Sequence, residues 1–118
     1  MTSRNGDVGI TKYYNGKFEV SDHTFALTGF DNTKYSVGFF YQWMKNNYDY
    51  IHSLAHGTGI PGINTKDLGS IEVNVPNLTE QKRISKVLSD YDELTSTLDT
   101  EIEVLKNTKN QLMNNIFN

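Results

Sequence analysis

The run TEQKRISKVLSDYDELTSTLDTEIEVLKNTKNQLMNNIF, from Thr79 to Phe117, contains neither glycine nor proline. Ile84, Tyr91, Leu98, Leu105 and Leu112 recur in it at seven-residue steps, the spacing that holds an apolar seam against a partner helix. A second seam, Leu88, Thr95, Ile102, Lys109 and Ile116, is weaker, and Val87 and Leu94 widen the stripe near its start. At about 1.5 Å per residue, such a helix is on the order of 58 Å long. Its other positions carry mostly Lys, Glu, Asp, Asn and Thr, so the helix alone would leave a long apolar stripe in water. Folding back on a small domain would cover its first few turns and no more. The pattern therefore predicts a coiled-coil helix over 79–118 that pairs with another helix.

The 78 residues before it differ in kind: all nine glycines precede residue 70, and both prolines, Pro61 and Pro76, precede the helix. Asn5-Gly6-Asp7 and Asn15-Gly16-Lys17 are turn signals flanking the β-prone run Val8 to Tyr14. Phe18 to Ser21 and Thr24 to Leu27 read as one kinked strand or two short ones, ending at Gly29. Asp31, Asn32 and Thr33 offer caps, and Phe40, Trp43, Met44, Ile51, Leu54 and Ala55 recur at three- and four-residue steps, which predicts a helix from about Lys34 to Ala55. Gly57-Thr58-Gly59-Ile60-Pro61-Gly62 stops it. Ile71, Val73 and Val75 alternate with polar residues up to Pro76, as in a half-buried strand. The fold class expected is α+β: a small mixed lobe of short strands and one helix over 1–78, followed by the long coiled-coil helix over 79–118.

Composition narrows the function classes. With 36% hydrophobic and 21% charged residues in 118, the chain is of the ordinary globular kind. It has no cysteine, which removes disulfides and thiolate metal sites, and no apolar run approaches the roughly 20 residues needed to span a bilayer. A cytoplasmic protein with no membrane role is expected. The formal net charge is −3, with six basic and seven acidic side chains in 1–78 and five and seven in 79–118. Bulk electrostatic attraction to nucleic acid is thereby excluded, though not a local basic patch.

Specific residues then carry a resemblance. The segments Gly57 to Asn64 and Leu68 to Ile84, above all a proline followed at a short gap by Glu80-Gln81 and Ile84, resemble the end of a target recognition domain in type I restriction-modification DNA specificity subunits. The tail with Leu105, Lys109, Leu112, Met113 and Phe117 is similar to that family's long helix, and Ser3 to Gly9 with Val20-Ser21-Asp22 is similar to the middle of its recognition domain. The resemblance implies a recognition domain that reads half of a split double-stranded DNA site. It also implies helices that act as spacer and dock for methyltransferase (modification) subunits and, through them, the restriction subunit. Family members normally carry two recognition domains and two such helices, so a half-subunit, truncated product or fragment with part of one domain is expected here. Paired antiparallel in a homodimer, two copies would mimic the complete protein, with lobes that reach sites roughly 34 to 36 Å apart.

Under that reading Arg4, Asn5, Lys12, Lys17, Thr58 and Lys66 are the candidate DNA contacts: cations and short polar side chains at turns, able to reach phosphates or base edges. Solvated turns and a plain helix stop explain the same residues without DNA. Ile84, Leu88, Tyr91, Leu98, Ile102, Leu105, Leu112 and Ile116 are the candidate dimer and partner contacts. Tyr13, Tyr14, Tyr41, Tyr48 and Tyr50 either stack on bases or, as the better reading, belong to core and boundary, and Trp43 packs. His52 and His56, four apart on the expected helix, suit two metal ligands with Asp22 or Asp49 as guessed completions, but the glutamate of the zinc-protease motif is missing. No nucleophile motif or phosphate loop is present, so no catalytic residue, cofactor or metal is expected. The alternative is a truncated coiled-coil module that pairs with other subunits without binding DNA. A small metal-dependent hydrolase is a third class.

Overall fold

The helix that dominates the sequence dominates the structure. In a computed structural model that describes residues 1–4, 6–57 and 62–117, a single helix of 40 residues runs Leu78–Phe117. Asn77 starts it: its side-chain oxygen accepts from the Glu80 amide at 2.9 Å, taking one of the donors a helix start leaves without a partner. Chain contacts divide the protein into two compact units, Met1–Ser85 and Lys86–Asn118, so the first two turns of this helix belong to the first unit.

Among the described residues, the first unit holds two short strands and three short helices besides the start of the long one. Strand β1 (Thr2–Ser3) pairs antiparallel with β2 (Thr24–Phe25), Thr2 opposite Phe25 and Ser3 opposite Thr24, and a single bridge joins Thr2 to Thr11. Helix α1 (Val37–Asn46) is capped by Ser36, whose hydroxyl accepts from the Phe39 amide, and α2 (Tyr48–Ser53) follows directly. Helix α3 (Thr65–Gly69) is capped by Asn64, which accepts from the Asp67 amide at 2.8 Å; the long helix is α4. The α+β class with a long terminal helix is as the sequence indicates.

Three local expectations are corrected. The single helix over Lys34 to Ala55 is two, because the Asn47 side chain donates to the Trp43 carbonyl at 2.7 Å and its backbone leaves the helical region, a competition typical of asparagine. It also starts later, because Asp31 accepts from the Thr33 amide and hydroxyl and holds residues 31–35 in a turn. The strand over Ile71 to Val75 is absent: Ile71 and Val73 are half-buried between exposed neighbours, but the segment finds no strand to pair with among the described residues. Of the β-prone runs Val8 to Tyr14 and Phe18 to Leu27, Thr24–Phe25 and the Thr11 bridge are all that pair.

The core is small. Val8, Met44, Ile51 and Ile63 form its buried centre, with Phe25, Trp43, Leu54, Ala55, Leu68 and Ile71 packed around them. Gly9 permits a close approach to the core: its φ is +98°, and a Cβ there would lie 3.2 Å from Ile51 Cγ2 and 3.3 Å from Tyr48 Cδ2. Gly9→Ala is therefore expected to destabilise the lobe by about 1–3 kcal/mol through left-handed strain. Urea unfolding followed by Trp43 fluorescence measures it, and an unchanged midpoint would show that the loop relaxes freely.

Candidate functional site

Backbone bonds decide which of the candidate contacts lie together. The Arg4 amide donates to the His23 carbonyl at 3.0 Å, and the Arg4 carbonyl accepts from the Ile63 amide at 2.8 Å. His56 and Gly62 exchange a pair of bonds at 2.7 and 2.8 Å, closing the base of the 57–61 loop. One edge of the lobe thus gathers Arg4, the turn at Asp22-His23 and that loop base, with Lys66 a few residues on in the last turn of α3. Asn5 and Thr58, two further candidates, lie outside the described residues. The Arg4 guanidinium stands 4.8 Å from the Phe25 ring centroid, a cation–π contact, and its buried Nε has no hydrogen-bond partner among the described residues.

Lys12 and Lys17 are placed differently. The Lys12 backbone is tied to the first residue: its carbonyl accepts from the Met1 ammonium at 2.7 Å and its amide donates to the Met1 carbonyl at 2.8 Å. Partial burial holds that ammonium below its usual pKa. Lys12 then lines a cavity of about 330 Å³ with Tyr13, Tyr14, Phe18, Phe40 and Tyr41 among its walls, and Lys17 is exposed beside Phe18. Tyr13, Tyr14 and Tyr50 are exposed, against the expectation that most tyrosines serve core or boundary; Tyr41 and Tyr48 are half-buried, and Trp43 packs on the core as expected.

The histidine pair is not a helical pair. Helix α2 ends at Ser53, so His56 lies beyond it in the bridge to Gly62. His52 Nδ1 is 2.9 Å from the Val8 carbonyl, which fixes it as the donor, and His56 Nε2 is 3.0 Å from the Asp67 carboxylate. Asp7 accepts from the Tyr48 hydroxyl, and this bond to a carboxylate raises the phenol's pKa. The aspartates beside the histidines are thus Asp7 and Asp67, not the guessed Asp22 and Asp49. Among the described residues, no three His, Cys, Asp or Glu side chains are grouped to hold a metal ion.

Helix α4 supplies the second surface. Ile84 and Leu88 are half-buried, whereas Tyr91, Leu98, Ile102, Leu105, Leu112 and Ile116 are exposed, Leu105 at 68% and Leu98 at 48%. Several polar side chains around them are paired locally. Lys86 pairs with Asp90 at 2.9 Å, which raises the lysine's pKa, and Arg83 pairs with Glu80, which lowers the glutamate's. Thr95, Thr97, Thr100 and Thr108 each donate to the carbonyl four residues back, at 2.9 to 3.0 Å. From Tyr91 onward the heptad side chains stand exposed between them. No helix among the described residues is long and apolar enough to cross a membrane.

One structurally decisive residue was not singled out for this role in the sequence. Gln81, 1% exposed, accepts from the Ser36 amide at 2.8 Å and donates to the carbonyls of Lys34 at 3.0 Å and Pro76 at 2.8 Å. It joins the first turn of α4 to the entry of α1.

Residues 1–107 match the family described as type I restriction modification DNA specificity domain. The chain belongs to this family. Over 74 residues, 63% of its length, it is 39% identical to the type I restriction enzyme MjaVIII specificity subunit of Methanocaldococcus jannaschii, covering 17% of that protein. Over 113 residues, 95% of its length, it is 26% identical to a protein of Mycoplasma genitalium named as a candidate type I specificity subunit, covering 30% of it. The chain therefore spans less than a third of these curated relatives. No solved structure matches it. The specificity-subunit family read from Glu80-Gln81, Ile84 and the helix tail is the family that matches.

Proposed function

We propose that this chain supplies one recognition lobe and one spacer helix to a type I restriction-modification complex in the cytoplasm. The lobe over 1–78 reads half of a split double-stranded DNA site. The helix over 79–118 pairs antiparallel with a second copy and carries the methyltransferase subunit and, through it, the restriction subunit. The observation that carries the reading is α4 itself: 40 uninterrupted residues with an apolar heptad seam left uncovered, in a chain whose first 107 residues match the specificity family. An exposed seam of that length requires a helical partner, and lobes on an antiparallel pair stand at a spacing suited to two DNA half-sites, roughly one turn apart.

The DNA edge in this reading is the one gathered by Arg4, and Lys66, Asn5 and Thr58 are assigned to DNA with it, while Lys12 and Lys17 reach phosphate from the aromatic surface. Chemistry rests with the partners, and the chain itself is not catalytic. Sedimentation equilibrium is the first test: a dimer is expected, followed by binding of duplex DNA that weakens steeply with salt and by capture of a type I modification subunit. A chain that stays monomeric and captures no modification subunit would sink the reading. A dimer that captures the subunit but ignores duplex DNA would favour the pairing module without DNA contact.

A further inference from the structure

The DNA reading above uses the lysines beside the aromatic cavity of the lobe and leaves its rings without a role. Lys12, Tyr13, Tyr14 and Phe18 line it, and Lys17 is the exposed residue that precedes Phe18 in the chain. Tyr13, Tyr14 and Phe18 are 54%, 49% and 40% exposed, a costly arrangement for three large rings on so small a lobe. The rings are not stacked flat on one another: Tyr14 and Phe18 meet at 6.1 Å with a tilt of 38°, and Tyr13 meets Tyr41 at 6.0 Å with a tilt of 50°. Tilted rings with exposed area can accept a flat guest. The cavity they edge, about 330 Å³, falls in the size range of small-ligand sites, about 300–1,000 Å³.

Charge says what kind of guest. The chain as a whole is acidic, yet no acidic residue occurs between Asp7 and Glu19, a stretch that holds both Lys12 and Lys17. The Lys45 ammonium lies 6.0 Å from the ring centroid of Tyr41, a residue that lines the cavity. Aromatic rings interleaved with ammonium groups are how proteins hold unpaired nucleotides: the ring stacks on the base and the cation meets its phosphate. We infer that the cavity edged by Tyr13, Tyr14 and Phe18 takes an unpaired nucleobase of DNA, with Lys12 and Lys17 on the flanking phosphates. The inference rests on the DNA reading above and adds a distinct ligand to it. A partner that modifies a base in duplex DNA must first take that base out of the stack, which leaves its opposite number unpaired.

The rival occupant is an extended polypeptide. Among the described residues the backbone from Tyr13 to Val20 makes no backbone hydrogen bond, so a strand also has something to pair with. The two lysines and the acid-free rim favour the phosphate-bearing guest.

The test uses the full chain, a fluorescein-labelled short oligothymidine and, separately, a blunt duplex. The single strand is expected to bind at low salt, and Tyr14→Ala or Phe18→Ala to weaken it about tenfold each while leaving duplex binding unchanged. Lys12→Gln with Lys17→Gln should flatten the salt dependence of oligothymidine binding. All four side chains are exposed, so circular dichroism is expected to show intact folding. Oligothymidine binding that ignores the ring substitutions overturns the site, as does duplex binding without oligothymidine binding, which leaves half-site reading standing. Binding of neither probe removes both. A Tyr14→Ala, Phe18→Ala chain that loses self-association, with no change in oligothymidine binding, assigns the cavity to a polypeptide and overturns the base site.

Discussion

On the proposed pairing, a Leu98→Asp chain should sediment as a monomer at concentrations where the unaltered chain is expected to be a dimer. Leu98 sits mid-seam, 48% exposed in the single chain, and pairing would cover it with apolar side chains from the facing helix. Aspartate there loses the leucine's burial, about 1.5–3 kcal/mol, and either buries an unpaired carboxylate or forces the seam apart. A twofold-symmetric pair carries the substitution twice, so the dissociation constant should rise by more than about a hundredfold. Far-UV circular dichroism should fall as well, because an isolated helix of this composition is marginal in water. Trp43 fluorescence should not change, since Trp43 packs on the core of the other unit. An unaltered mass would mean that the seam is not what joins the copies.

The second large effect is expected at Gln81. Gln81→Leu keeps the approximate shape of the side chain but leaves the Ser36 amide and the Lys34 and Pro76 carbonyls without their partner. Each buried backbone group left unmet costs about 1–3 kcal/mol, and partial access of water brings the expected total to about 3 kcal/mol. On a lobe whose buried apolar core is four clustered side chains, that is a large share of its stability. The urea midpoint read from Trp43 fluorescence measures the loss. Gln81→Glu gives a pH-dependent version. A carboxylate facing two carbonyls has its pKa raised in the folded state, so the lobe should be weakest above that pKa and regain stability as pH falls through it. A urea midpoint for Gln81→Leu within error of the unaltered chain would show that the three bonds contribute nothing net.

Reach in sequence separates what was legible from what was not. The seven-residue spacing of Ile84, Tyr91, Leu98, Leu105 and Leu112 is a local property, and α4 follows it to within a residue at its start. The break at Asn47 depends on which carbonyl one amide side chain finds, and the apolar spacing across it reads as continuous helix either way. Ile71 to Val75 does alternate in burial over its first residues, but a strand also needs a neighbour, which periodicity cannot supply. Helix α3 is five residues long, too short to show a period, although Asn64 is an ordinary cap signal. The site divides in the same way. Single cations and turn tips were readable one by one, whereas the placement of Arg4 beside the 57–61 loop base comes from backbone bonds to residues 23 and 63. Gln81 looks like a solvated residue of a first helical turn until residues 34 and 36 close over it.

That closure has a temporal side. The bonds from Gln81 to Ser36 and Lys34 span 45 and 47 residues, and a ribosome adding on the order of 5–20 residues per second makes α1 several seconds before the side chain that completes its entry. Until then the nascent lobe holds its apolar residues with one joint unmade, and the chain must pass that interval without finding another chain's exposed surface. The joint between the two helices closes only once the first turn of α4 has been made, so a nascent chain with that joint complete has also begun its long helix.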